Sequence, residues 1–309
     1  MNDIVKYYPI LLQKARKYAK IFCIKAMKGR SEMSKKTTLA VIGVGNMASA
    51  IIGGILSSDG ATGITGDSLV LCNRTPEKAE KFVKYGAHIA KTAAEAVEKG
   101  DYILLAVKPQ NIPDLISDIA EIDMTGKVFI SICAGISSDI ICAKLGRKVP
   151  VVRVMPNTPL QIGLGVSAVA RNNLVEDADY EKICGIFEAS GMVLRLEEDQ
   201  IDAVTSVNGS SPAYFYYFID AMMKSAEAQG LHCENLLEAI CKTAIGSAEM
   251  LMRSGKTPAE LIRAVTSPHG TTEQAMNVFY KAGTAETIDE AMRACTRRAA
   301  EMAKEAAEK

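Results

Sequence analysis

The stretch that most limits what this chain can become is Thr38 to Leu56, TLAVIGVGNMASAIIGGIL. An apolar run over Leu39 to Ile42 ends in Gly43-Val44-Gly45-Asn46-Met47-Ala48, and an apolar segment with helical spacing follows. The pattern is strand, tight glycine turn, helix, with the spacing G-x-G-x-x-A. Such a turn suits a pyrophosphate. Gly43 permits the sharp turn, Gly45 lets the backbone approach phosphate oxygens, and Ala48 keeps the helix close to the strand. The helix N-terminus offers unpaired N–H groups to an anion. Gly43, Val44, Gly45, Asn46 and Met47 are therefore candidate cofactor residues.

A doubly wound sheet needs this unit repeated, and it is. A strand over Leu69 to Cys72 ends at Asn73-Arg74-Thr75. An enzyme that uses NAD commonly places a carboxylate here for the ribose hydroxyls; here Arg74 stands in its place, and a guanidinium suits a 2′-phosphate. NADP is therefore the expected cofactor, with NADPH preferred and NAD as the alternative. Pro76 to Tyr85 reads as a helix, Ala87 to Ala90 as a short strand, and Thr92 to Lys99 as a helix capped by Thr92. Tyr102 to Val107 and Val128 to Cys133 are nearly continuous apolar runs, as expected of strands covered on both faces. They lead into Ala106-Val107-Lys108-Pro109 and Cys133-Ala134-Gly135, which lie at the carboxyl edge where ligands bind in such sheets. Ser137 to Leu145 and Asp177 to Ala189 read as helices. Val149 to Met155 reads as a strand, Gly165 to Arg171 as its antiparallel partner, and Met192 to Leu196 as the last strand, for roughly eight in all.

From Glu198 onward the alternation stops. Helical spacing predicts Pro212 to Gln229, Glu234 to Arg253, Pro258 to Val265 with Thr257 as N-cap, Thr271 to Lys281 and Ala285 to Glu308. The expected fold is α/β: a Rossmann-like doubly wound sheet, then an all-helical domain for substrate binding and dimerisation. The expected divisions are 1–36, a basic N-terminal extension; 37–198, dinucleotide-binding; and 199–309, helical. The stripe Tyr214, Phe215, Phe218, Met222 and Met223 suits a core or a dimer face.

Composition excludes several classes. The 309 residues carry 36 basic and 36 acidic side chains, so nothing in the overall charge calls for nucleic acid or a membrane. The imbalance is local: residues 1–36 hold ten Lys/Arg against two Asp/Glu. That segment is too interrupted for a signal or a membrane span and reads as an appendage, or as sequence ahead of a start at Met33. The eight cysteines form no C-x-x-C pair, and the three histidines are scattered. A reducing cytoplasm and no metal site are expected.

Two polar clusters interrupt the helical part, Thr205 to Pro212 and Thr266 to Glu273, each ending at a helix start. The second could hold a small carboxylate, although capping alone also accounts for Ser and Thr at such places.

The segments VIGVGNMASAII, NRTPEKAE, LLAVKPQ, ICAGISS, MPNTP, VTSVNGSSPAY and AELIRAVTSPHGTTEQAM resemble pyrroline-5-carboxylate reductases, from about Thr38 to the C-terminus. The last is the most specific, and it departs from the family's two consecutive glycines by placing His269 first. The resemblance implies reduction of 1-pyrroline-5-carboxylate to L-proline, the last step of proline biosynthesis, by a homodimer that can assemble into larger rings. It implies that Ser267, Gly270, Thr271 and Thr272 hold the substrate carboxylate. It also implies that the Thr205 hydroxyl lies near the ring nitrogen. For the cofactor it implies the loops Gly43–Met47, Asn73–Thr75, Ala106–Pro109 and Cys133–Gly135. Two alternatives remain at this point: a β-hydroxyacid dehydrogenase, whose catalytic lysine has no counterpart between Asn208 and Tyr217, and a non-catalytic NADP-binding protein.

Overall fold

A computed structural model describes residues 37–308; the basic segment 1–36 lies outside the described residues. The described chain divides into two compact units, residues up to Gly209 together with those from Thr296 onward, and Ser210 to Cys295.

The first unit is built on eight strands: β1 (Leu39–Ile42), β2 (Leu69–Cys72), β3 (His88–Ile89), β4 (Tyr102–Leu105), β5 (Val128–Ser131), β6 (Val151–Met155), β7 (Gly165–Arg171) and β8 (Gly191–Arg195). Their spatial order is β3-β2-β1-β4-β5-β6-β7-β8. All neighbours run parallel except β6 and β7, where Val154 faces Val169 in an antiparallel pair. The helices are α1 (Asn46–Ser57), α2 (Ala93–Lys99), α3 (Ile112–Ile119), α4 (Ser138–Lys144) and α5 (Asp177–Glu188).

The apolar runs reflect burial on both sheet faces. In β1, Leu39 and Val41 enter one cluster with Ile51, Ile52 and Ile55 of α1 and Phe187 of α5. Ala40 and Ile42 enter the other, with Val97 of α2 and Ile112, Leu115, Ile116 and Ile119 of α3. Period-two alternation sends neighbouring side chains to opposite faces, so a strand with two covers is apolar at nearly every position.

Two local features differ from the pattern read in sequence. Pro76 to Tyr85 is not one helix but a turn at Glu77–Glu80 followed by a 3₁₀ turn at Val83–Tyr85. Ala79 and Phe82 are both buried, and a tightened turn brings such i, i+3 positions into line. Helix α3, absent from the reading of the sequence, begins after Pro109-Gln110-Asn111; Pro113 occupies its first turn, where a missing N–H costs nothing.

The second unit is helical: α6 (Ser211–Ala228), α7 (Leu236–Ser254), α8 (Pro258–Val265), α9 (Thr271–Lys281) and α10 (Thr284–Glu308), whose last turns belong to the first unit. Thr257 caps α8 in a reciprocal box with Glu260. Ile240 and Pro212 are its only buried apolar side chains among the described residues; Phe215, Tyr216, Tyr217, Met252, Val278 and Tyr280 are all more than half exposed. No helix among the described residues is long and apolar enough to cross a membrane.

Candidate active site

The chain turns sharply after β1. Gly43 has φ +94°, and a Cβ there would lie 2.7 Å from the Ala106 carbonyl oxygen. No L-residue fits that conformation or that space. The Gly43 N–H donates to the Cys72 carbonyl at 2.8 Å, and the Val44 N–H donates to Asn73 Oδ1 at 2.8 Å. Asn73 in turn donates from its amide to the Thr75 carbonyl at 2.7 Å. Asn73 thus ties the glycine turn to the end of β2. Arg74 and Thr75 are left exposed at the position where a ribose or its phosphate would be met.

Gly45 precedes α1 with no side-chain cap, and α1 has no acid in its first turn. A Cβ on Gly45 would meet nothing within 4 Å. The first helical bond runs from the Ser49 N–H to the Gly45 carbonyl at 2.9 Å, so the N–H groups of Asn46 to Ala48 have no helical acceptor. An uncapped, acid-free helix start beside open space is a site for a pyrophosphate. The residues present therefore fit a dinucleotide.

The cleft beside this helix start is lined across from it by Ala106, Val107 and Lys108 and closed below by Ile132, Met155 and Pro156. It lies at the carboxyl ends of the neighbouring strands β1 and β4, where the strand order reverses direction. Ala106 is held by its N–H on the Ile42 carbonyl at 2.8 Å; Lys108 is exposed, and Pro109 opens the turn that leads to α3. Cys133 is buried, its thiol directed at the Val107 carbonyl at 3.2 Å. Burial pushes that thiol up to about 12, so it stays protonated and holds two loops together. Ala134 is half-buried, and Gly135, at φ +71°, lies against Met302 and Ala303 of α10.

Thr205 opens a five-residue π turn, Thr205–Gly209, directly after a short helix, Ile201–Val204. Such turns commonly mark functional sites. Its hydroxyl donates to the Ile201 carbonyl at 2.9 Å, which leaves the oxygen's lone pairs to accept a donor. The turn is anchored by Asn208, whose amide donates to the carbonyls of Met155 at 2.8 Å and Val166 at 3.1 Å. Gly209 lies beside the Met155 thioether and the Thr205 methyl, so Thr205 is adjacent to the Met155 wall of the cleft.

In the second unit, Gly270 is the N-cap of α9 and brings no side-chain cap. Its N–H donates to the Ser267 carbonyl at 3.0 Å. A Cβ on Gly270 would collide with Ser267 Oγ, so the loop closes tightly only around glycine. Ser267 and Thr271 are exposed and Thr272 is half-buried. Thr266 is already committed, donating to the Ile262 carbonyl at 2.7 Å. His269 has φ +61°; its N–H donates to Glu273 Oε2 at 2.9 Å. The residue that departs from the family pattern thus keeps a backbone suited to glycine, and histidine is among the types that tolerate it best.

Sequence reading missed Arg153, Glu198 and Asp202. Arg153 is buried in β6 and pairs with Glu198 at 3.4 Å and Asp202 at 3.2 Å. The one available signal was an arginine inside an otherwise apolar strand, VVRVM.

A doubly wound sheet with an anion-ready glycine turn, followed by a helical unit carrying a second polar helix start, defines a dinucleotide-dependent oxidoreductase. Comparison with known proteins narrows this. Residues 38–135 match the family model "NADP oxidoreductase coenzyme F420-dependent", and residues 198–302 match the model for pyrroline-5-carboxylate reductase dimerisation. The pyrroline-5-carboxylate reductase of Pseudomonas aeruginosa is 37% identical over 269 residues, covering 86% of this chain and 97% of its own. The solved pyrroline-5-carboxylate reductase of Coxiella burnetii is 30% identical, with a TM-score of 0.78 over 87% of this chain and 99% of its own. That of Plasmodium falciparum, solved with NADP bound, is 26% identical, with a TM-score of 0.79 over 86% of this chain and 98% of its own. The chain belongs to the pyrroline-5-carboxylate reductase family.

Proposed function

We propose that the protein reduces 1-pyrroline-5-carboxylate to L-proline with NADPH, as the last step of proline biosynthesis. The observation that carries this reading is the cleft whose glycine turn faces Ala106–Lys108 and whose Met155 wall adjoins the turn that carries Thr205.

When bound, the nicotinamide supplies a hydride to the imine carbon. The chain's own residues bind and orient. Asn46 and Met47 at the start of α1 receive the pyrophosphate, Val107 to Pro109 and the loop Cys133–Gly135 close the cleft, and exposed Arg74 meets the 2′-phosphate. Asn73 and Thr75 shape that loop, which supports a preference for NADPH over NADH. The imine is most electrophilic when its nitrogen is protonated, and a cyclic imine takes that proton from water. Thr205, with its own proton engaged by Ile201, presents lone pairs to the resulting N–H⁺. It orients the ring and no strong protein acid is needed. Ser267, Gly270, Thr271 and Thr272 grip the carboxylate through hydroxyls and the N-terminal amides of α9.

The protein works as a homodimer through the helical unit, capable of assembly into rings. Two buried apolar side chains, Pro212 and Ile240, cannot hold four helices and the start of α10 together, and the exposed aromatic and Met residues supply the missing core from a second copy. A cytoplasmic enzyme is in keeping with free thiols at all seven described cysteines. A steady-state assay with 1-pyrroline-5-carboxylate and NADPH tests the reading: saturable NADPH oxidation with proline formed in equal amount is expected. No turnover, with NADPH still bound, would leave a non-catalytic binder.

A further inference from the structure

Arg153 sits in the middle of a strand that is otherwise apolar, and its guanidinium is nearly closed off from water, with a side chain 7% exposed. One nitrogen faces Glu198 at 3.4 Å and another faces Asp202 at 3.2 Å. Glu198 does more than pair. Its Oε1 accepts the Ser138 backbone N–H at 2.7 Å, and its other oxygen accepts the Ser138 hydroxyl. One cluster of four residues therefore joins three segments far apart in sequence.

Each of those segments leads to a residue given a role at the site. Ser138 starts α4, three residues after Gly135 in the loop that follows β5. Arg153 shares a face of β6 with Met155, two residues on, which lines the cleft. Asp202 sits one turn before Thr205, next to Ile201, whose carbonyl takes the Thr205 proton. Net stability is a poor reason for this arrangement, because a buried ion pair gains little over apolar residues of the same volume. Its effect is directional: a guanidinium that needs two carboxylates allows the Glu198–Thr205 segment one seating against the sheet.

We infer that the Arg153–Glu198–Asp202 cluster is a positioning device for the reaction, fixing the Thr205 oxygen against the Met155 wall of the cleft. It touches neither substrate nor cofactor, and it acts through Thr205. The inference rests on the role given to Thr205 above. Removing the Asp202 contact frees the turn to shift by tenths of an ångström, which misaligns the acceptor without removing it. Binding of the imine carboxylate and of NADPH involves other residues and is left alone.

The test compares Asp202→Asn, Arg153→Lys and Thr205→Val, singly and with Asp202→Asn combined with Thr205→Val. Asp202→Asn should lower kcat about five- to tenfold, with KM for imine and NADPH within about twofold, the pattern of a lost transition-state alignment. Arg153→Lys, which keeps the charge but loses the fork, should show a smaller loss of the same kind, and guards against misfolding of a variant at the buried site. In the Thr205→Val background, Asp202→Asn should cost less than about twofold more, because residues acting through one another are not additive. Equal loss in both backgrounds, unchanged kcat, or a rise in KM alone would overturn the positioning role. If Thr205→Val itself leaves kcat unchanged while wild type turns over the imine, the role of Thr205 has failed, and the inference built on it fails with it.

Discussion

The two glycines of the turn after β1 have separable jobs, and one methyl group at each distinguishes them. At Gly43 an added Cβ sits at φ +94°, 2.7 Å from the Ala106 oxygen, 2.8 Å from its carbonyl carbon and 2.9 Å from the Val107 nitrogen. All three are backbone atoms, so no side chain can swing away. A left-handed conformation costs an L-residue about 1–2 kcal/mol, and forcing a methyl into filled space costs about 1–3 kcal/mol. Gly43→Ala should therefore destabilise the ligand-free protein by roughly 2–5 kcal/mol, seen as a fall in Tm of roughly 4–20 °C. At Gly45 the backbone has φ −85° and the Cβ meets nothing within 4 Å. Alanine is a poorer N-cap than glycine, by roughly 0.5–1 kcal/mol, but it also restricts the unfolded chain by about 0.4–1 kcal/mol, and the opposed terms leave stability within about 0.5 kcal/mol of wild type. The methyl points into the space the pyrophosphate needs, so Gly45→Ala should weaken NADPH binding about tenfold or more, equivalent to about 1.4 kcal/mol. Differential scanning fluorimetry without ligand and NADPH titration by calorimetry read the two effects. Equal losses of Tm in both variants, or undiminished NADPH affinity in Gly45→Ala, would refute the division of labour.

Arg74→Ala should raise the KM for NADPH and leave that for NADH nearly unchanged, the lost phosphate contact being worth about 1.5–3 kcal/mol; equal effects on both cofactors would remove Arg74 from that role. Thr272→Val should raise the KM for 1-pyrroline-5-carboxylate about tenfold, about 1.4 kcal/mol, with NADPH kinetics unmoved. His269→Gly should retain activity and change stability by no more than about 1 kcal/mol, since relief of the left-handed backbone is offset by the greater freedom of glycine when unfolded; loss of turnover would show that the imidazole acts in the reaction. Tyr102 donates to Asp179 at 2.7 Å, and burial together with that carboxylate raises its hydroxyl above the ordinary value near 10. A raised acid contributes stability that is present below the unfolded value and lost above it, so stability should fall as pH rises past about 10, and Tyr102→Phe should flatten that fall in denaturant titrations.

Much of the fold was legible because it rests on local rules. Strands buried on two faces are apolar at nearly every position, so YILLAV and VFISIC announced themselves. Caps such as Thr92, which accepts the Glu95 N–H at 3.1 Å, and Thr257 satisfy backbone donors within one turn. The glycine turn was legible for the same reason, since few residue types can follow a strand that turns so tightly. The Pro76–Tyr85 region was misread because helix punctuation at its ends says nothing about the tightening that buries Ala79 and Phe82 together.

What only the tertiary structure decided is which polar residues act together. Arg153 lies 45 residues from Glu198 and 49 from Asp202. No periodicity links them, and their pairing exists only because β6 and the segment after β8 are brought together by the sheet. Asn208 lies 53 residues from Met155 and 42 from Val166, the two carbonyls that hold the π turn in place. The sequence by itself determined the strands, the glycine turn and the positions of the polar clusters, because those follow from backbone geometry and burial over a few residues. The seating of Thr205 against the cleft depends on charges and carbonyls supplied by distant segments, and those meet only in the folded chain.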